Sequence, residues 1–209
     1  MRTDLENWIA LWHRIGAHDD GITWHGKLCR SYQDSHRSYH TLQHLEECLQ
    51  IFDSIPSEKE VACSPALELA LWFHDAVYDI GASNNEEQSA QLARFVLFEA
   101  GVDSGLIDDT CRLVMATKTH EGSLPDEEWI ADIDLSILGQ TPTRFQEYER
   151  QIRREYAMVD DCLYRTKRSE IMASFLERTR LYKTEYFHHH LEEQARFNLE
   201  WLLNHLAEP

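Results

Sequence analysis

Apolar residues recur at three- and four-residue spacing along almost the whole chain, which predicts one helix after another. Leu5, Trp8, Ile9, Trp12 and Ile15 line one face of an opening amphipathic helix. Leu42, Leu45, Leu49 and Phe52 repeat the pattern in a second, ending near Pro56. Ser64-Pro65 pairs a capping residue with a proline at the first helical position. The helix it starts, from residue 66 to about 78, is apolar nearly all round, as a central buried helix is. Residues 81–85 read as a loop and cap before a helix with Glu86 and Glu87 in its first turn. Leu92, Phe95, Val96 and Ala100 carry that helix to a stop at Gly101. Further helices are predicted over 106–115, over 126–139, from Pro142 through Tyr148, Ile152 and Tyr156, and around 171–175 and 187–203. With no repeat and no linker, this is an all-α chain of eight to ten helices. One domain spans 1–209, its core about 32–140, with C-terminal helices 142–207 packing on it.

Composition agrees with that picture and narrows the partners. The 209 residues are 43% hydrophobic and 27% charged, an ordinary globular balance. Eight glycines and five prolines are too few to punctuate a succession of short strands. Lys and Arg total 20 against 37 Asp and Glu, a net charge of −17, which disfavours long nucleic acid and anionic membrane surfaces. The deficit is uneven: between Arg144 and Lys183, 10 basic residues stand against 7 acidic ones. That stretch reads first as an exposed helix with interleaved charges, and second as room for a local anion site. Five cysteines without a C-x-x-C suit neither a disulfide framework nor a structural zinc site. Most are expected to be buried, reduced thiols, and with no signal peptide or long apolar run the expected location is the cytoplasm.

Twelve histidines are many for this length, and a few occupy informative places. His40 and His44 stand at i and i+4, one face of a helix. His74-Asp75 lies inside the most apolar helix, where an ionised carboxylate is costly unless it is paired or binds a metal. Asp132 and Asp134 repeat the oddity among apolar neighbours. Each segment alone suits a hydrogen-bonded core residue. Together they supply two nitrogen and two oxygen donors, a set that suits manganese, iron, cobalt, nickel or zinc with positions left for water and substrate.

The ordered set His44, His74-Asp75 and Asp134 resembles the H…HD…D signature of the HD-domain metal-dependent phosphohydrolases. The strings at 37–40, 72–79, 85–90, 116–120 and 131–139 resemble a bacterial subgroup described as predicted HD-superfamily phosphohydrolases, and the likeness runs from about Tyr32 to Asn198. It implies a helical HD-domain fold with one metal, sometimes two, activating water against a phosphate ester or anhydride of a small phosphorylated compound such as a nucleotide. It makes His44, His74, Asp75 and Asp134 the metal ligands, with Asp132 the competitor for the last place and otherwise a general base or a support behind the ligands.

The neighbours then acquire candidate roles. His40 is a proton donor to the leaving oxygen or a hydrogen-bond support. Arg37 and Lys118 are phosphate clamps or surface cations. His120 is a second-metal or phosphate contact, and Glu87, with Glu86, orients water or simply caps its helix. The run 188–190 reads as solvated surface. A di-iron oxygenase, which needs His40 and His120 as further ligands, and a non-catalytic ligand-binding module are the competing readings; homo-oligomerisation stays open.

Overall fold

Short polar side chains start several helices by taking up the first free N–H groups. Thr41 accepts from Gln43, Ser64 from Leu67, Asp103 from Gly105 and Leu106, Thr141 from Arg144, and Asp160 from Cys162 and Leu163. The computed structural model describes residues 1–56 and 64–207. In them α1 spans Leu5–Arg14, α2 Ile22–Ser31, α3 Leu42–Ser54, α4 Pro65–Phe73 and α5 Asn85–Glu99. α6 is Ser104–Ala116 and α7 Pro125–Asp134, followed by a 3-10 turn, Leu135–Gly139; then come α8 Pro142–Glu155, α9 Asp161–Leu176 and α10 Glu185–Ala207. The described residues hold no strand, so the all-α class stands. None of these helices is long and apolar enough to cross a membrane. The residues group into two units, Met1–Ile133 and a second from Asp134 onward, the division falling at the last residue of α7.

In the first unit α4 is the axis. Every residue from Ala66 to Phe73 is buried, and α3, α5 and α6 pack around it. Even Glu68 is inside, its carboxylate met by the guanidinium groups of Arg2 at 2.7 Å and of Arg14, since a buried carboxylate needs a paired charge. An aromatic stack closes one side: Trp8 lies on Trp12 at 4.6 Å and meets Trp72 edge-on at 4.9 Å. Gly21 makes this possible. Its carbonyl accepts from the Trp8 indole at 2.9 Å, its φ is +64°, and a Cβ there would fall 2.6 Å from that indole nitrogen.

Two predicted features differ. α2 was not predicted: it carries Gly26 and buries Leu28 alone. α4 ends at Phe73 rather than near 78, so His74 and Asp75 stand just past the helix instead of inside it. Of the cysteines, Cys48 and Cys111 are buried, but Cys29 is half-buried, Cys162 is exposed at the start of α9, and Cys63 lies outside the described residues.

In the second unit buried polar side chains tie loops to α10. The Asn198 amide donates to the Leu138 and Gln140 carbonyls at 2.7 and 2.8 Å, and the Tyr182 hydroxyl donates to the Leu135 carbonyl at 3.1 Å. The basic segment serves the same purpose. Arg168 is buried, its guanidinium against Glu149 and, at 2.7 Å, the Tyr148 hydroxyl, and Arg165 donates to the Leu206 carbonyl. Of the histidine run, His188 faces Glu192 at 3.3 Å while His189 and His190 are exposed.

Glu192 accepts from the Leu181 and Tyr182 N–H groups at 3.1 Å and from the Arg196 guanidinium at 2.7 Å. Burial pushes its carboxyl up, but these donors outweigh burial and hold its pKa below the ordinary value. A depressed carboxyl pKa stabilises the fold above the unfolded value, about 4.3, and that gain fades as pH falls through the folded pKa. Urea unfolding of wild type and Glu192→Gln should therefore differ most near pH 7, and the two curves should converge below about pH 4.

Candidate metal centre

α3 and the end of α4 bring two imidazoles face to face. Thr41 starts α3, so His44 stands in its first turn with its side chain buried, and the Nε2 atoms of His44 and His74 are 3.1 Å apart. Asp75 reaches both rings, its Oδ2 lying 3.2 Å from His74 Nε2 and 3.6 Å from His44 Nε2. Cys48, one turn after His44 on the same face of α3, puts its Sγ 3.7 and 3.8 Å from the two ring nitrogens of His44. Asp134, the last residue of α7, joins the group: ligand atoms of His44, Cys48, His74 and Asp134 all lie within 4.8 Å of one another.

The proton inventory shows what such a group requires. His74 Nδ1 lies 2.8 Å from the Leu71 carbonyl, which only accepts, so Nδ1 carries a hydrogen. In a neutral ring the Nε2 lone pair then points at a carboxylate oxygen and a second imidazole nitrogen. A hydrogen on His44 Nε2 can serve one of these contacts as an ordinary hydrogen bond, whereas a metal ion among the three atoms serves all of them. Donor atoms about 2.1 Å from one ion lie about 3 Å apart at right angles and about 3.4 Å apart at tetrahedral angles; the 3.1 and 3.2 Å separations here fall in that range and the 3.6 Å one lies just beyond it. The position favours a cation on other grounds, because His74 sits at the negative, carbonyl end of α4. Burial would raise the Asp75 carboxyl, but the charges of the His74 and His40 imidazoles, a hydrogen bond from His74 and the charge of His44 overcome it and hold the group far below the usual carboxylate range.

Tertiary donors take carbonyls at the end of α4 and in the turn just past it. Tyr32 gives its hydroxyl to the Trp72 carbonyl at 3.1 Å; burial pushes that phenol well up, so it stays a neutral donor. Arg37, itself buried, donates to the carbonyls of Asp75 at 2.7 Å, Ala76 at 3.2 Å and His40 at 3.0 Å. Beyond the turn, the Ser89 hydroxyl accepts from Val77 N–H, and Asn85 holds Asp79 through both its amide atoms at 3.0 Å. α5 thus clamps the chain on the far side of His74-Asp75.

These contacts place the candidate residues. Arg37 is turned to backbone carbonyls, where it joins the His40 segment to the His74-Asp75 turn. His40 precedes the first turn of α3 rather than sharing a helix with His44; its ring lies 6.0 Å from His44 and stacks on Tyr78 at 4.2 Å. Lys118 and Glu87 meet each other, and Lys118 also donates to the Ser83 carbonyl at 2.8 Å; the lysine holds the Glu87 carboxyl below its ordinary pKa. Of the two acids in α7, Asp134 joins the metal-ligating group and Asp132, two residues earlier, is buried on another face. His120 ends the turn after α6 with a left-handed φ of 52° and stands outside the group. Cys48 was missed, although His44 and Cys48 at i and i+4 on the apolar stripe of α3 were the visible signal. Compared with protein-family models, curated proteins and solved structures, the chain finds no match.

Because Arg37 holds three carbonyls and touches none of the ligand atoms, it is a positioning residue. Arg37→Met should lower metal affinity about 10- to 100-fold by isothermal titration while Arg37→Lys recovers part of it, as for other groups that orient ligands from behind.

Proposed function

We propose that the chain is a metal-dependent phosphohydrolase acting on a small phosphorylated compound, of the HD-domain type that its H…HD…D residues resemble. One observation carries the reading. The Nε2 atoms of His44 and His74 and the Oδ2 of Asp75 converge within 3.1–3.6 Å of one another, close to the spacing of donor atoms around one ion. The donors are imidazole, carboxylate and thiol, a set for a first-row divalent ion of the manganese-to-zinc range. When bound, such an ion supplies a Lewis acid that acidifies water and neutralises phosphoryl charge.

The rest is the work of this chain's side chains. His74 holds its Nε2 lone pair toward the site because Leu71 fixes the proton on Nδ1. Asp75, its carboxyl held well below the usual carboxylate range by the imidazoles around it, supplies the negative charge that retains a cation. His40, stacked on Tyr78 and close enough to influence Asp75, is placed to give a proton to a leaving oxygen at the edge of the site. Lys118 is the candidate for meeting substrate phosphate, exchanging Glu87 for a phosphoryl oxygen, since that exposed ion pair is weak. The buried Arg37 is spoken for by backbone and serves as a support.

Release of phosphate or pyrophosphate from a panel of nucleotides and sugar phosphates, with Mn²⁺, Co²⁺ or Ni²⁺ added, tests this directly. His74→Ala and Asp75→Ala should each lose on the order of 10³-fold in kcat/KM, the several kcal/mol a metal contributes. Activity that survives both changes refutes the assignment.

A further inference from the structure

Cys48 is the member of the metal-ligating group that no part of the H…HD…D pattern demands. It follows His44 by four residues, so both side chains leave the same face of α3, and both are buried. Packing alone accounts for a buried thiol, which behaves as a small apolar group. Packing does not account for its company. The Sγ lies 3.8 Å from the same His44 Nε2 that stands 3.1 Å from His74 Nε2, and with Asp134 the four ligand atoms fall within 4.8 Å of one another. A sulfur about 2.3 Å and a nitrogen about 2.0 Å from one tetrahedral ion are about 3.5 Å apart. The observed sulfur–nitrogen distance is 3.8 Å, and because the sulfur stands as near His44 Nδ1, at 3.7 Å, as Nε2, the cysteine side chain turns to another rotamer to reach an ion on Nε2.

We infer that Cys48 is a metal ligand and that its thiolate selects the ion. This rests on the metal-centre reading above and sharpens it. A soft sulfur donor among two imidazoles and a carboxylate favours zinc, cobalt(II) or iron(II) over manganese and magnesium, which prefer oxygen. The thiol releases its proton to solvent as the sulfur–metal bond forms, so no oxidant or reductant is involved. Asp75, its Oδ2 3.2 Å and 3.6 Å from the two imidazole Nε2 atoms, adds a carboxylate oxygen beside this set.

The test is spectroscopic and needs no substrate. Metal-free full-length protein titrated with Co²⁺ should develop a thiolate-to-cobalt charge-transfer band in the near ultraviolet at one equivalent. Cys48→Ser should abolish the band and lower zinc affinity by about a hundredfold or more, since a lost ligand costs at least as much as a lost supporting group. Manganese affinity should change only a few-fold, so the zinc-over-manganese preference collapses. X-ray absorption of the zinc-loaded wild type should show one sulfur at about 2.3 Å, which needs no variant to fold. Zinc bound through nitrogen and oxygen alone, or a cobalt band that persists in Cys48→Ser, overturns the inference and leaves the metal-centre reading intact. A wild-type chain that binds neither cobalt nor zinc overturns both.

Discussion

The termination of α4 is the constraint on which the site depends. A helix as apolar as 65–73 has no local reason to stop after Phe73, and continuing it would point His74 and Asp75 about 100° apart around one cylinder. It stops because its last carbonyls are taken. The His74 ring, Tyr32 and the Ala76 N–H take the Leu71, Trp72 and Phe73 carbonyls, and Arg37 holds the Asp75 and Ala76 carbonyls just beyond, so leaving the helix costs no hydrogen bonds. The chain is then free to turn, and the turn aims His74 Nε2 and Asp75 Oδ2 the same way. Helix termination and ligand convergence are one event.

That event is held from both sides by the first unit's packing. The Trp8–Trp12–Trp72 stack anchors the body of α4, while Ser89 and Asn85 of α5 fasten the backbone of Val77 and Asp79 beyond the turn. Buried polar groups here are satisfied by partners distant in sequence, which is expensive to arrange and leaves little room for alternatives. Glu68, enclosed between Arg2 and Arg14, follows the same rule. The second unit obeys it too, with Glu192 and Asn198 holding loop backbone against α10. In both units charged and amide side chains set where loops run, and apolar residues set where helices pack.

Charge acquires a more local meaning in this light. The total of −17 describes mainly the surface. Inside, Asp75 and Asp134 sit with imidazoles and a thiol in a group that favours a cation. The basic stretch from Arg144 to Lys183, which looked like room for an anion, spends Arg165 and Arg168 on carbonyls, a phenol and a carboxylate.

Much was legible in the sequence because it is local. Three- and four-residue apolar spacing determined the helical class, and Ser64-Pro65 marked the start of α4, since both depend on neighbours within a turn. His44, His74, Asp75 and Asp134 were legible as candidate ligands because burying such groups in apolar helices is costly without a purpose. α2 was missed because it starts at Gly21, a glycine fitted against Trp8 and Trp12, rather than at a capping side chain. The roles of Arg37, Ser89 and Asn85, the end of α4, the pairing of Lys118 with Glu87 and the entry of Cys48 into the metal-ligating group all depend on chain segments far apart in sequence. Spacing along one helix says which side chains share a face. Only the tertiary structure decides which carbonyl, carboxylate or thiol waits on the other side, because those partners meet through space and carry no periodic signal.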